Sequence, residues 1–233
     1  MAFLQSGPAR QPALRAPAIV LWLIALLAAA HAGRMALSQQ ASDGVILAYA
    51  FIPARYAFAG SFWDQAVPFV SYMALHGDWT HLLINGLWLL AFGPIVTRRF
   101  GTLLFLLFFL LCGVAAALTH LALNWGGMDP VVGASGAISG LMAAGLRLLP
   151  GMFPWATPGE TRMAPIFSRQ ILTFSASWVI LNIVVGLVGA RFLGSEGAIA
   201  WQAHLGGYLA GLFLSGPFDA LRPRPLAPPL SEG

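Results

Sequence analysis

The sequence contains no lysine and little charge of any kind: its twelve basic side chains are all arginine, eight side chains are acidic, and together they make up 9% of the 233 residues. So few charges cannot coat a water-soluble domain of this length. The formal charge of +4 is no sign of nucleic-acid binding, because in a membrane protein a surplus of arginine encodes orientation. No nucleic-acid partner is expected. The single cysteine, Cys112, excludes an internal disulfide. No spacing among the five histidines makes a zinc set. What is abundant is apolar surface: 58% of residues are hydrophobic and the mean hydropathy is +0.78. It is concentrated in runs of membrane-spanning length, so the chain reads as an all-α polytopic integral membrane protein.

Six spans are expected, at about 17–37, 79–97, 102–124, 134–149, 169–190 and 200–216. They are preceded by a cytosolic segment at 1–16 and followed by a proline-rich cytosolic tail at 217–233. Ala30-His31-Ala32 after an apolar core also resembles a leader cleavage site. Cleavage there would leave five spans and spoil the charge pattern, so the six-span reading is preferred. With the N-terminus inside, Arg10, Arg15, Arg98, Arg99, Arg147, Arg162, Arg169, Arg222 and Arg224 lie on the cytoplasmic side, against Arg34, Arg55 and Arg191 outside. That asymmetry follows the positive-inside rule and puts both termini in the cytoplasm. The long external loop, about 38–78, is dense in aromatics, among them Phe51, Tyr56, Phe58, Phe62, Trp63 and Phe69. Such a segment suits the lipid headgroup layer.

Spans two, four and six begin at the outer face, and each carries polar groups in its first turns: His81 and Asn85, then Ser135, then His204. Polar groups within a bilayer are costly and usually functional. A rise of about 1.5 Å per residue sets all four at a similar shallow depth. Gly136 and Gly140, continued by Ala144, and Gly207 with Gly211 form small-residue stripes that let spans four and six approach closely. Contact between those stripes would bring Ser135 towards His204.

A serine beside an imidazole suits acyl transfer: Ser135 as nucleophile, His204 as the general base that later protonates the leaving amine. Spans two, four and six contain no acidic side chain, so a dyad is expected. The Ser135 backbone amide, the Asn85 amide and the His81 ring are the candidate oxyanion donors, the latter two lying four residues apart on one helical face. A small transporter and a catalytically silent membrane protein that binds clients are the alternatives.

Three blocks carry a family resemblance: His76-Gly77-Asp78-Trp79-Thr80-His81-Leu82-Leu83-Ile84-Asn85, Gly133-Ala134-Ser135-Gly136-Ala137-Ile138-Ser139-Gly140, and Ala203-His204-Leu205-Gly206-Gly207 with Gly211. In this order the chain, over about 17–216, resembles the rhomboid intramembrane serine proteases. The resemblance implies a six-transmembrane-helix bundle with a short, central serine-bearing helix, and a loop at 125–133 that dips towards the serine. It implies Ser135 and His204 as catalytic residues and His81 and Asn85 as oxyanion stabilisers. It also implies transmembrane protein substrates, surrounding membrane lipids and no metal or cofactor. The absence of lysine and the minimal six-span form fit a prokaryotic cytoplasmic membrane better than an organelle. Substrate entry is expected beside span five, with Gly186, Gly189 and Arg191 in its outer half.

The chain departs from the family pattern at three places. Val67 and Pro68 stand where a Trp-Arg pair is usual, which leaves the external loop without that anchor. Thr97 stands where an acidic residue is common, so an ion pair at the cytoplasmic end is expected to be missing. Ser139 stands where many relatives have an aromatic ring; it either packs as a small residue or hydrogen-bonds His204. His31 and His120 are expected to be interfacial or bonded to backbone, His76 to support the loop, and Asn182 to act as interhelical glue.

Overall fold

Within a bilayer each backbone N–H and C=O must find its partner inside its own segment, so long apolar runs become helices. The computed structural model describes residues 16–58, 60–148, 163–192 and 200–222. Five longer helices and the short serine-bearing one occupy the six expected segments: α1 Ala18–Met35, α5 Trp79–Phe100, α6 Thr102–Leu123, α7 Ser135–Leu148, α8 Arg169–Phe192 and α9 Trp201–Leu221. Between α1 and α5 the external loop folds into α2 Gln39–Tyr49, α3 Phe62–Ala66 and α4 Pro68–Ser71, with single turns of tighter helix at Pro53–Ala57 and Tyr72–Ala74. The first fifteen residues, Arg162, Glu196 and the tail beyond Arg222 lie outside the described residues, as do the side chains of Gly189 and Arg191.

Among the described residues, four helices are long and apolar enough to cross a membrane: α1, α5, α6 and the Arg169–Val188 part of α8. The other two differ for a physical reason. Helix α7 has 14 residues, about 21 Å of rise, and every residue from Gly136 to Arg147 is buried by protein. Helix α9 carries Gln202, His204, Gly206 and Gly207 in its first half. Helix α7 is enclosed by its neighbours, while α9 leaves Leu209 and Phe213 exposed but turns Gln202 to Asn124 and His204 to Ser135 and Asn182, so the polar content of both meets protein.

Backbone contact between these two helices sets the geometry of the centre. A Cβ added to Gly207 would overlap the Gly136 carbonyl, and one added to Gly211 would overlap the carbonyl of Gly140. Helix α6 closes on the same axis, since a Cβ on Gly136 would lie 2.6 Å from that of Ala116. The expected stripes do meet. Gly101, at φ +82°, turns the chain directly from α5 into α6, a conformation that glycine adopts without strain.

The external loop is tied to the bundle by residues other than the usual pair. Arg34 at the end of α1 donates to the His76 carbonyl at 2.7 Å, the Gly77 carbonyl at 3.1 Å and Ser42 Oγ at 2.8 Å. Arg55 donates to the carbonyls of Leu47 and Ala48 at the end of α2. Phe51 and Tyr72 are fully buried, with Tyr56 and Phe69 packed on Phe51. Only part of the aromatic set therefore faces outward: Phe58, Phe62 and Trp63 are each more than 70% exposed. At the other end, the expected gap in ion pairing is filled from a different position. Arg99 grips Asp219 through Nε at 2.6 Å and Nη2 at 3.0 Å, and Arg222 adds a contact at 3.0 Å, so α5 and α9 are joined there. Arg147, in the last turn of α7, lies buried against the Leu212 carbonyl and Ser215 Oγ.

The α7–α9 contact yields a stability test. Gly207→Ala should lower the stability of the detergent-solubilised protein by roughly 1–3 kcal/mol, since a methyl group there meets rigid backbone. Gly44→Ala, which projects into open space on α2, should be neutral or add about 0.4–1 kcal/mol. Thermal denaturation of both variants checks the contrast, and equal midpoints would contradict the packing.

Candidate active site

The four residues singled out from the sequence border one cavity of about 960 Å³. Each is delivered by a distinct local feature. The Asp78 carboxylate accepts the His81 backbone N–H at 2.8 Å and so starts α5. That cap places His81 in the first turn and Asn85 one turn further on. Gly133, at φ +113°, reverses the chain ahead of α7 and donates its N–H to the Tyr72 carbonyl at 2.9 Å. The approach loop is anchored further back by the antiparallel bridge between Phe51 and Val131. Ser135 then begins α7, where the first backbone N–H groups have no partner within the helix.

Ser135 Oγ lies 2.7 Å from His204 Nε2, a hydrogen bond between residues 69 positions apart. His81 faces the same spot. A Cβ on Gly133 would lie 2.7 Å from His81 Nε2 and 3.7 Å from Ser135 Oγ, so the ring edge and the hydroxyl border one small space. Asn85 is buried and spends one amide hydrogen on the His81 carbonyl at 2.9 Å, which leaves the other for a ligand.

Two expectations about neighbouring residues change. Ser139 Oγ donates to the Ser135 carbonyl at 2.8 Å, a bond within its own helix. It does not bond His204, because a serine at this position is closer to the carbonyl one turn back than to any ring across the interface. Asn182 does tie helices together, donating Nδ2 to the Trp201 carbonyl at 2.9 Å, but its Oδ1 also lies 2.9 Å from His204 Nδ1. A lone asparagine in an apolar run was the available signal. Helix α8 begins at the opposite face, and about 20 Å of rise brings position 182 level with the site.

The histidines around the site form a buried edge-to-face row. His76 packs on His81 with centroids 5.1 Å apart, and on His31 at 6.5 Å. His31 in turn meets Trp79 at 4.6 Å, so it is a core residue and not an interfacial one. His120 pairs with Asn124 beyond the end of α6. Among the described residues no group of histidine, cysteine and acidic side chains has metal-binding geometry.

An all-helical bundle with several apolar spans, and polar side chains converging at one end of its core, is an integral membrane protein with a buried site. Residues 61–218 match the family model of the Rhomboid domain, and the chain belongs to the rhomboid family. It is 29% identical over 145 residues to "RHOMBOID-like protein 5" of Arabidopsis thaliana, covering 62% of this chain and 41% of that protein. It is 28% identical over 157 residues to "Putative rhomboid protease YdcA" of Bacillus subtilis (strain 168), covering 67% of each. The chain thus spans about two fifths of the plant relative's length.

The buried row has a pH signature. Burial first, and the neighbouring His81 second, push His76 in the loop before α5 from 6.5 down to about 4. Between those values the unfolded chain binds the proton and the folded chain does not, so this contribution to stability is complete above pH 6.5 and is lost as pH falls towards 4. His76→Phe should flatten that part of the stability curve. Thermal midpoints at the two ends of the window measure it, and an unchanged acid loss would count against a buried neutral His76.

Proposed function

We propose that the chain is an intramembrane serine endopeptidase that hydrolyses peptide bonds in or near transmembrane segments of membrane-protein substrates. The observation that carries this reading is the 2.7 Å contact between Ser135 Oγ and His204 Nε2. His204 takes the hydroxyl proton as Oγ attacks the scissile carbonyl, and a tetrahedral oxyanion forms. The Ser135 N–H, the free Asn85 amide hydrogen and the His81 ring donate to that oxygen. Collapse expels the amine, which receives the proton from His204, and leaves an acyl group on Ser135. Water, deprotonated by the same imidazole, then releases the product and regenerates the serine.

Placement in the bilayer completes the proposal. Six crossings over 17–216, with both termini cytoplasmic and the site near the outer face, account for the nine-to-three arginine distribution. The prokaryotic cytoplasmic membrane is the favoured compartment, and membrane lipid is the medium through which substrates arrive. Entry beside α8 is supported by its exposed faces, with Ile180, Leu181 and Leu187 each at least 60% exposed. Gly186 is a packing position in that scheme, since a Cβ there would lie 2.6 Å from Trp201 Cδ1.

In proteoliposomes the wild-type chain should label with a fluorophosphonate probe and cleave a single-span reporter, and Ser135→Ala and His204→Ala should do neither. Asn85→Ala should fold and label but cleave about 10²–10³-fold more slowly, the usual cost of one oxyanion donor. A native chain that fails to label, or labelling that survives loss of the serine, would favour a silent client-binding protein or a transporter.

A further inference from the structure

His204 makes two side-chain hydrogen bonds, one on each ring nitrogen: Nε2 to Ser135 Oγ at 2.7 Å and Nδ1 to Asn182 Oδ1 at 2.9 Å. The second has a defined direction. Asn182 Nδ2 donates to the Trp201 carbonyl at 2.9 Å, a group that can only accept, so the amide oxygen must face the imidazole. That oxygen carries no hydrogen, and the proton between it and Nδ1 therefore belongs to the ring. Nε2 is left bare to receive the Ser135 proton.

We infer that Asn182 is a positioning residue, the third member of a Ser135–His204–Asn182 relay that holds the base in its reactive tautomer and couples it to the seating of α8. The inference rests on the hydrolytic reading of Ser135 and His204. The coupling follows from where Asn182 stands. Ser175, Trp178, Asn182 and Gly186 recur at helical spacing along α8, and all meet α9: Ser175 Oγ bonds Tyr208 OH at 2.7 Å, Trp178 stacks on Tyr208 at 4.4 Å, and Gly186 admits Trp201. The outward faces of α8 are exposed. A displacement of α8 from α9 large enough to part these pairs would release the imidazole, so His204 would be correctly set only when α8 is seated.

The role of an interhelical tie and the role of a tautomer anchor are separable by substitution. An aspartate at 182 can still accept from Nδ1–H, but its ionised form cannot donate to the Trp201 carbonyl. In proteoliposomes with a single-span peptide, Asn182→Ala should lower kcat at least about tenfold, below the ~10⁴-fold that a reversed tautomer costs a serine-histidine site, with KM little changed. Asn182→Asp should recover most of that loss. Nitrogen-15 spectra of histidine-labelled protein, assigned by His204→Ala, should show Nδ1 protonated and Nε2 bare in the native chain and a mixture of tautomers in Asn182→Ala. An unaltered kcat or an unaltered ring spectrum in the alanine variant overturns the inference, as does an aspartate variant no better than alanine. Should the alanine chain not fold, the aspartate variant and the native spectrum decide by the same criteria. A native chain that neither labels nor cleaves would defeat the hydrolytic reading, while the ring spectrum still reports the Asn182 bond.

Discussion

Helix α7 can lie against α9 only because Gly140, Gly207 and Gly211 lack side chains, and the rest of the site depends on that contact. Gly207 and Gly211 face the carbonyls of Gly136 and Gly140 with no room for a methyl group. In lipid there is little hydrophobic drive between helices, so close backbone packing is what holds such a pair. It also sets the separation of the residues just above it. Ser135 precedes Gly136 by one position and His204 precedes Gly207 by three, so the glycine contact brings hydroxyl and imidazole to bonding distance.

Around this pair the protein solves a second problem, that of placing polar groups where water is scarce. Arg34 gathers three oxygen acceptors and thereby locks the segment leading into α5. Arg147 and Arg99 are likewise turned inward to carbonyls, a hydroxyl and a carboxylate. A buried charge is tolerable only with such partners. Arg34, Arg99 and Arg147 are therefore structural joints of the bundle.

Much of the candidate site was legible from order and spacing. Ser135, His204, His81 and Asn85 are each polar residues at the head of an apolar run, and the period of the helix and the parity of crossings suffice to bring them level. Less legible were partners contributed by elements running the other way or folded outside the spans. Asn182 enters from α8, whose first residue is at the far end, and Arg34 reaches a loop more than forty positions along. The replacement of the expected anchors by Arg34 and by the Arg99–Asp219 pair has the same cause: any side chain of the right charge that arrives at the right place will serve, and arrival depends on the packed bundle.

Composition and periodicity determined that this chain forms helices, which of them carry polar side chains in their outer turns and which faces pack, because a membrane leaves the backbone no other way to satisfy its hydrogen bonds and small residues mark close approach. Tertiary structure alone decided which nitrogen of His204 faces the serine and which residue stands behind it, and that Ser139 turns back to its own helix. Those outcomes rest on hydrogen bonds of 2.7, 2.9 and 2.8 Å, the first two between separate helices. A one-dimensional pattern does not contain them, since hydrogen bonds are short-ranged and directional while spacing along a chain fixes only depth and face.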